Sequence, residues 1–294
     1  MASQTSIFIT FVLLALAICS AWLKPIHINE RFILPPWVLF FIASMVSGLV
    51  VGVLSPLAIV ELGIFCGAAY LAQIPNQKFA QRFIFGSVTA IIALALAMHK
   101  LPGFNNPVII SSMTLSAGAA TFTQYANFDK GVVGLILLAF LCSRANTLPE
   151  WAKLLKQTFP IALITTVAVL GVAIGLDYVK PDFKITQTTA LFLGANLFFT
   201  VIAEEAFFRG FLQNRLSSVL TRFRYGQLIA IICSALLFGA VHAGGGITIV
   251  LLASIAGFGY AYAYYVTRRI EAPIIVHFVL NAVHFIGFTY PHLN

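Results

Sequence analysis

Five residues in this chain are placed to do chemistry: Glu204, Glu205, His242, His277 and Asn281. Each lies inside or at the end of an apolar run, where an ionisable or amide side chain is costly and is by default a functional candidate. Glu204 and Glu205 follow the run 195–203, and Arg209 stands four residues after Glu205. Positions i and i+4 share a helix face, so Glu205 and Arg209 are expected to neutralise one another. Glu204 is rotated about 100° away on a helix and has no cation partner in its own segment. A carboxylate left unneutralised in a low-dielectric wall suits a general base. His277 and Asn281 are again four apart, so both can donate toward one point, as an oxyanion hole requires. His242 closes the run 229–241, with Phe238 one turn before it and three glycines at 244–246 just after.

Each position also has a structural reading. The acid pair could mark a helix entering the membrane interface, His242 could be an interfacial residue, and His277 and Asn281 could bond a neighbouring helix. His284 continues the His277–Asn281 stripe at i+7 and is read as helix packing. Glu61, after Ser55-Pro56, is read as an acid favoured by a helix N-terminus. His27, His99 and His292 fall in loops or the tail and are given no role.

Composition decides what holds these residues. Of 294 residues, 60% are hydrophobic and only 9% charged, against roughly 25% charged in soluble domains. A mean hydropathy of +0.97 over the whole length exceeds what one buried core explains, because a soluble protein covers its surface with polar groups. The expected fold is all-α, a polytopic transmembrane helix bundle of about eight to ten spans. Candidate spans are 7–23, 36–54, 57–74, 83–98, 131–142, 159–176, 189–208, 227–241, 247–267 and 272–290, judged against the roughly 17–25 residues needed to cross hydrocarbon. The fifth is short, and either extends back through 117–128 or is re-entrant. No Lys or Arg precedes the first run, so it reads as a retained helix rather than a cleaved signal. Cys19, Cys66, Cys142 and Cys233 each lie in apolar runs without a CxxC pair, and read as buried thiols.

The net charge of +8 is distributed as a topology code rather than as a nucleic-acid surface, and no nucleic-acid partner is expected. With ten alternating spans, Lys24, Arg31, Lys78, Arg82, Arg144, Lys153, Lys156, Arg215, Arg222, Arg224, Arg268 and Arg269 fall on one side, and Lys100, Lys130, Lys180 and Lys184 on the other. The richer side is expected to be cytoplasmic, with both termini outside. Residues 1–188 carry no identifiable motif; the functional residues lie in 189–290.

Glu204-Glu205-Ala-Phe-Phe-Arg209, Phe238-Gly-Ala-Val-His242 and His277-Phe-Val-Leu-Asn281 resemble the EExxxR, FxxxH and HxxxN/D motifs of the CAAX protease and bacteriocin-processing (CPBP) family of intramembrane endopeptidases. The resemblance covers about residues 189–288; the stretch Asn127-Phe-Asp-Lys130-Gly also looks like bacterial members. It implies that Glu204 and His242 activate a water, that His277 and Asn281 stabilise the oxyanion, and that Glu205 and Arg209 hold the site in shape. It implies a membrane-associated peptide or protein substrate and a place in the bacterial cytoplasmic membrane. No cofactor is required on this reading; a divalent metal such as zinc, on Glu204, His242 and His277, is the alternative. Two other functions compete: a multi-pass transporter, and a non-catalytic membrane scaffold.

Simple spans create a difficulty. Glu204 is 11 residues from Arg215, His277 is 8 from Arg269 and His242 is 18 from Arg224. At 1.5 Å per residue, these place the three at depths of about 16, 12 and 27 Å. Partners in one reaction must lie within a few ångströms. At least one segment must therefore depart from a simple span; either 210–226 folds back or the helix carrying His242 starts deeper.

Overall fold

A computed structural model describes residues 3–29, 32–75 and 77–294; Arg31, one of the topology charges, lies outside them. The chain is an all-α helix bundle with two small hairpins. Its helices are α1 (Gln4–Ser20), α2 (Pro36–Val50), α3 (Pro56–Gln73), α4 (Phe79–Ala97), α5 (Phe128–Leu141), α6 (Leu148–Gly175), a long composite segment from Thr189 to Arg222, α10 (Gly226–Ala240), α11 (Ile247–Thr267) and α12 (Glu271–Gly287). Among the described residues, five segments are long and apolar enough to cross a membrane: 56–73, 79–97, 148–175, 189–222 and 247–267. Four apolar helices, 4–20, 36–50, 226–240 and 271–287, are shorter.

Local signals explain several boundaries. Ser55 caps α3 by accepting from the Ala58 N–H, with Pro56 as the first helical residue. Glu61 consequently falls in the second turn, beyond the N-terminal turn expected for it. Thr147 caps α6 through the Glu150 N–H, and Glu150 accepts in return from the Asn146 N–H at 2.8 Å, close to a reciprocal capping arrangement. The four thiols form no disulfide, but Cys19 is exposed and the other three are half-buried, where buried thiols were expected.

The chain divides into two compact units. The first comprises residues 1–107, 125–142 and 198–207; the second comprises 108–124, 143–197 and 208–294. At the centre of the first is α5. Phe128, Asp129 and all of 131–138 are buried, which explains why so short an apolar run is stable: it is covered by protein. Glycines permit the close packing. A Cβ on Gly134 would sit 3.1 Å from the Ala203 backbone nitrogen, and one on Gly131 would sit 2.9 Å from the Phe199 ring. The backward extension is helical only from Phe128; residues 117–127 are not helical. β3 (Val108–Met113) pairs with β4 (Phe122–Tyr125), and Gly118 takes a positive φ of 70° between them.

In the second unit, α10 and α11 pack closely because Gly239 lacks a side chain; a Cβ there would meet Ser254 Oγ at 2.0 Å and the Val250 carbonyl oxygen at 2.8 Å. One end is closed by stacked Phe192 and Phe285 (centroids 3.9 Å apart), with Phe122 and Tyr290 edge-on to Phe192. Residues 180–184 run beside the end of α12: the Asp182 and Lys184 N–H groups donate to the Gly287 and Ile286 carbonyls. A hydrogen bond from Ser116 and the nearby Lys184 ammonium hold the Asp182 carboxyl below the usual carboxylate range.

The α10–α11 packing is testable. Gly239→Ala forces a backbone contact apart, and overpacking of this kind costs about 1–3 kcal/mol. A lowered thermal unfolding midpoint in detergent is the expected result.

Candidate active site

The composite segment carrying both glutamates is not a uniform α-helix. Thr189–Asn196 is α7, Leu197–Val201 is π-helical, Ile202–Glu205 is α8, Ala206–Gln213 is π-helical again, and Asn214–Val219 is α9. A short 3₁₀ turn ends it at Arg222. Widened i→i+5 turns of this kind are frequent at functional sites. Here they bracket the four residues that include Glu204 and Glu205. The expected fold-back over 210–226 is absent. The helix simply continues, and Phe223–Tyr225 turns tightly into α10, with Gly226 so close to Leu220 that a Cβ would reach 1.9 Å from its carbonyl oxygen.

In the first unit, Glu205 is fully buried, whereas the Glu204 side chain keeps 18% of its surface. The expectation that Glu204 has no cation partner is corrected by a residue from elsewhere in the chain: Lys130 Nζ lies 3.8 Å from Glu204 Oε1. Lys130 is thus no loop charge. It sits in the first turn of α5, beside a polar cluster that also overturns the reading of His99 as a residue without a role. His99 Nδ1 is 2.6 Å from Asp129 Oδ2, and the Asn106 amide donates to Asp129 Oδ1 at 3.1 Å.

In the second unit, the imidazoles of the other two motifs converge on one aromatic ring. His242 lies 4.8 Å from the Phe238 ring centroid and His277 lies 5.7 Å from it, edge-on. His277 also stacks flat on Tyr260, 4.4 Å away and 13° from parallel, and is 5% exposed. His242 follows the end of α10 at φ −91°, ψ 7°, the sparsely populated bridge region where many active-site residues sit. Its Nδ1 is 2.7 Å from the Phe238 carbonyl oxygen. A carbonyl only accepts, so Nδ1 donates in this contact, which leaves Nε2 as the acceptor in the neutral form of the ring. The His242 ring can therefore act as base or acceptor through Nε2.

This convergence answers the depth difficulty within the unit. His242 lies 16 residues beyond the start of α10 and His277 six beyond the start of α12, or about 24 and 9 Å along the two axes. Both rings nonetheless touch Phe238. The two helices therefore begin at different levels, and α10 has the longer approach.

Asn281, one turn after His277, donates its amide to Asn196 Oδ1 at 3.2 Å. Asn196 was missed in the sequence, although an asparagine inside an apolar span was the signal. Arg209 is fully buried and donates to Ser234 Oγ and the Gly257 carbonyl, both at 3.2 Å. Its guanidinium stands 5.0 Å from the Phe238 ring centre and 5.6 Å from that of Tyr260. The aromatic rings touching the histidines are thus the same rings that pack on the arginine. One turn on, Gln213 donates to the Ala261 carbonyl at 2.9 Å. Among the described residues, no three His, Cys, Asp or Glu side chains are grouped to hold a metal ion.

The arginine makes a prediction. A lysine ammonium cannot reproduce the planar fork that reaches both Ser234 and Gly257. Loss of one hydrogen bond to a charged group costs about 1.5–3 kcal/mol, so Arg209→Lys should lower the thermal unfolding midpoint measurably.

No curated protein and no solved structure matches the chain. Residues 186–283 match the family described as Type II CAAX prenyl endopeptidase Rce1-like. These residues include all three motifs. With its apolar helices, the chain is an integral membrane protein, and its residues 186–283 are similar to the Rce1-like type II CAAX prenyl endopeptidase family.

Proposed function

We propose that this protein is an intramembrane endopeptidase that hydrolyses a peptide bond of a membrane-associated protein or peptide. The observation that carries this reading is that Glu204, Glu205, Arg209, Phe238, His242, His277 and Asn281 all fall inside the matched residues 186–283. Glu204 accepts a proton from a water, with His242 Nε2 as the second acceptor that orients it. The water oxygen attacks the substrate carbonyl carbon. His277 and Asn281 donate to the developing oxyanion, and Asn196 orients the Asn281 amide. As the C–N bond breaks, the proton passes to the leaving amine. Glu205 and Arg209 hold the segment in shape. The lipid bilayer is the solvent for substrate and enzyme, and the bacterial cytoplasmic membrane is the proposed location.

The competing transporter reading calls for broken spans in matching halves of the chain. Among the described residues, the π-helical breaks fall in one segment, around the glutamates, which favours the hydrolase.

The test is cleavage of quenched-fluorescent peptides, with and without a prenylated cysteine, by protein reconstituted in vesicles. Glu204→Gln and His242→Ala should each slow turnover by about 10²–10⁴-fold, the usual contribution of acid–base groups, and His277→Ala by about 10²–10³-fold, that of an oxyanion-hole donor, while the variants remain folded. Variants that cut as fast as wild type would overturn the proposal. The prenylated arm decides whether a prenyl group is part of the substrate.

A further inference from the structure

The polar cluster at the start of α5 lies outside the three motifs, and nothing in the proposed reaction uses it. Its geometry is nonetheless that of a mount. Asp129 is 1% exposed, and its carboxylate accepts from three directions. His99 Nδ1 approaches Oδ2 at 2.6 Å, while the Asn106 amide and the Lys130 backbone N–H reach Oδ1 at 3.1 and 2.8 Å. Asn106 completes the ring by accepting from the Phe128 N–H at 2.8 Å through its Oδ1. The first turn of α5 is thereby fixed by the chain that precedes the hairpin. His99 holds a left-handed conformation, φ 55°, directly after α4. A non-glycine residue in that region is strained and persists where its surroundings hold it; the bond to Asp129 does so here.

The residue delivered by this mount is Lys130, whose ammonium lies 3.8 Å from Glu204 Oε1 with both side chains four-fifths buried. Close packing at Gly131 and Gly134 against Phe199 and Ala203 brings the two backbones near enough for the side chains to meet. Away from bulk water, an ammonium at this distance fixes which way a carboxylate points, because the pair is little screened.

We infer that Lys130 is a positioning residue of the proposed hydrolysis: its ammonium holds one oxygen of Glu204, leaving the other to take the proton from water, and the His99–Asn106–Asp129 cluster holds Lys130. The inference rests on Glu204 being the base. A base misplaced by about 1 Å loses on the order of 100-fold in rate.

The experiment measures kcat and KM for the peptide whose cleavage Glu204→Gln abolishes, in vesicles. Lys130→Met should lower kcat by about 10- to 100-fold with KM and the unfolding midpoint little changed. Lys130→Arg, which restores a cation, should recover most of the rate. His99→Ala, which leaves Lys130 and Glu204 in place but removes the outer support, should give a smaller kcat loss and serves if Lys130→Met does not fold. If Glu204→Gln cuts as fast as wild type, the underlying catalytic reading fails. If Glu204→Gln is dead while Lys130→Met and His99→Ala keep full kcat, or if Lys130→Arg is no better than Lys130→Met, the positioning role alone is overturned.

Discussion

The structure depends on one constraint: every ionisable group enclosed by apolar helices must be met by a partner, because a buried charge without one is strongly destabilising. Arg209 shows how this organises the second unit. Its guanidinium is fully buried and meets a hydroxyl on α10, a carbonyl on α11 and the rings of Phe238 and Tyr260. The rings that pack on the cation are those on which His242 and His277 lie. Structural burial of the arginine and orientation of the imidazoles are one arrangement. Asp129 plays the corresponding part in the first unit, where satisfying one carboxylate fixes the first turn of α5.

Secondary structure relaxes where chemistry is proposed. The segment from Thr189 to Arg222 alternates between α and π turns on both sides of the glutamates. A π turn leaves a backbone bond looser than an α turn does, and such bulges persist where they serve a site. His242 leaves α10 in bridge-region geometry and is followed by Gly246 at φ 88°, a conformation that favours glycine. Arg209 and His242 thus sit on irregular backbone and the two glutamates between π turns, whereas His277 and Asn281 lie on the regular helix α12.

Much of this was legible in the sequence, for physical reasons. Long apolar runs gave the helices well; α11 spans 247–267, as its apolar run does. The motif spacing singled out the residues whose rings meet on Phe238. What the sequence hid were relations without a local period. Lys130 and Glu204 are 74 positions apart, and no helical spacing rule connects them, so Glu204 read as unpaired. His99 read as an idle loop residue because its partner, Asp129, lies across a hairpin that itself passes for helix. The hairpin spans Val108–Tyr125, and its second half, from 117 onward, reads in the sequence as a backward extension of the fifth span. The π turns leave no trace in composition, since they differ from α turns only in which carbonyl each N–H reaches.

The central claim is that Glu204 drives hydrolysis of peptides within the membrane. The most direct measurement compares the membrane peptides of cells producing wild-type protein with those of cells producing equal amounts of Glu204→Gln. At least one membrane-derived peptide should show cleaved ends with wild type and accumulate intact with the variant. Identical sets of peptide ends in the two would contradict it.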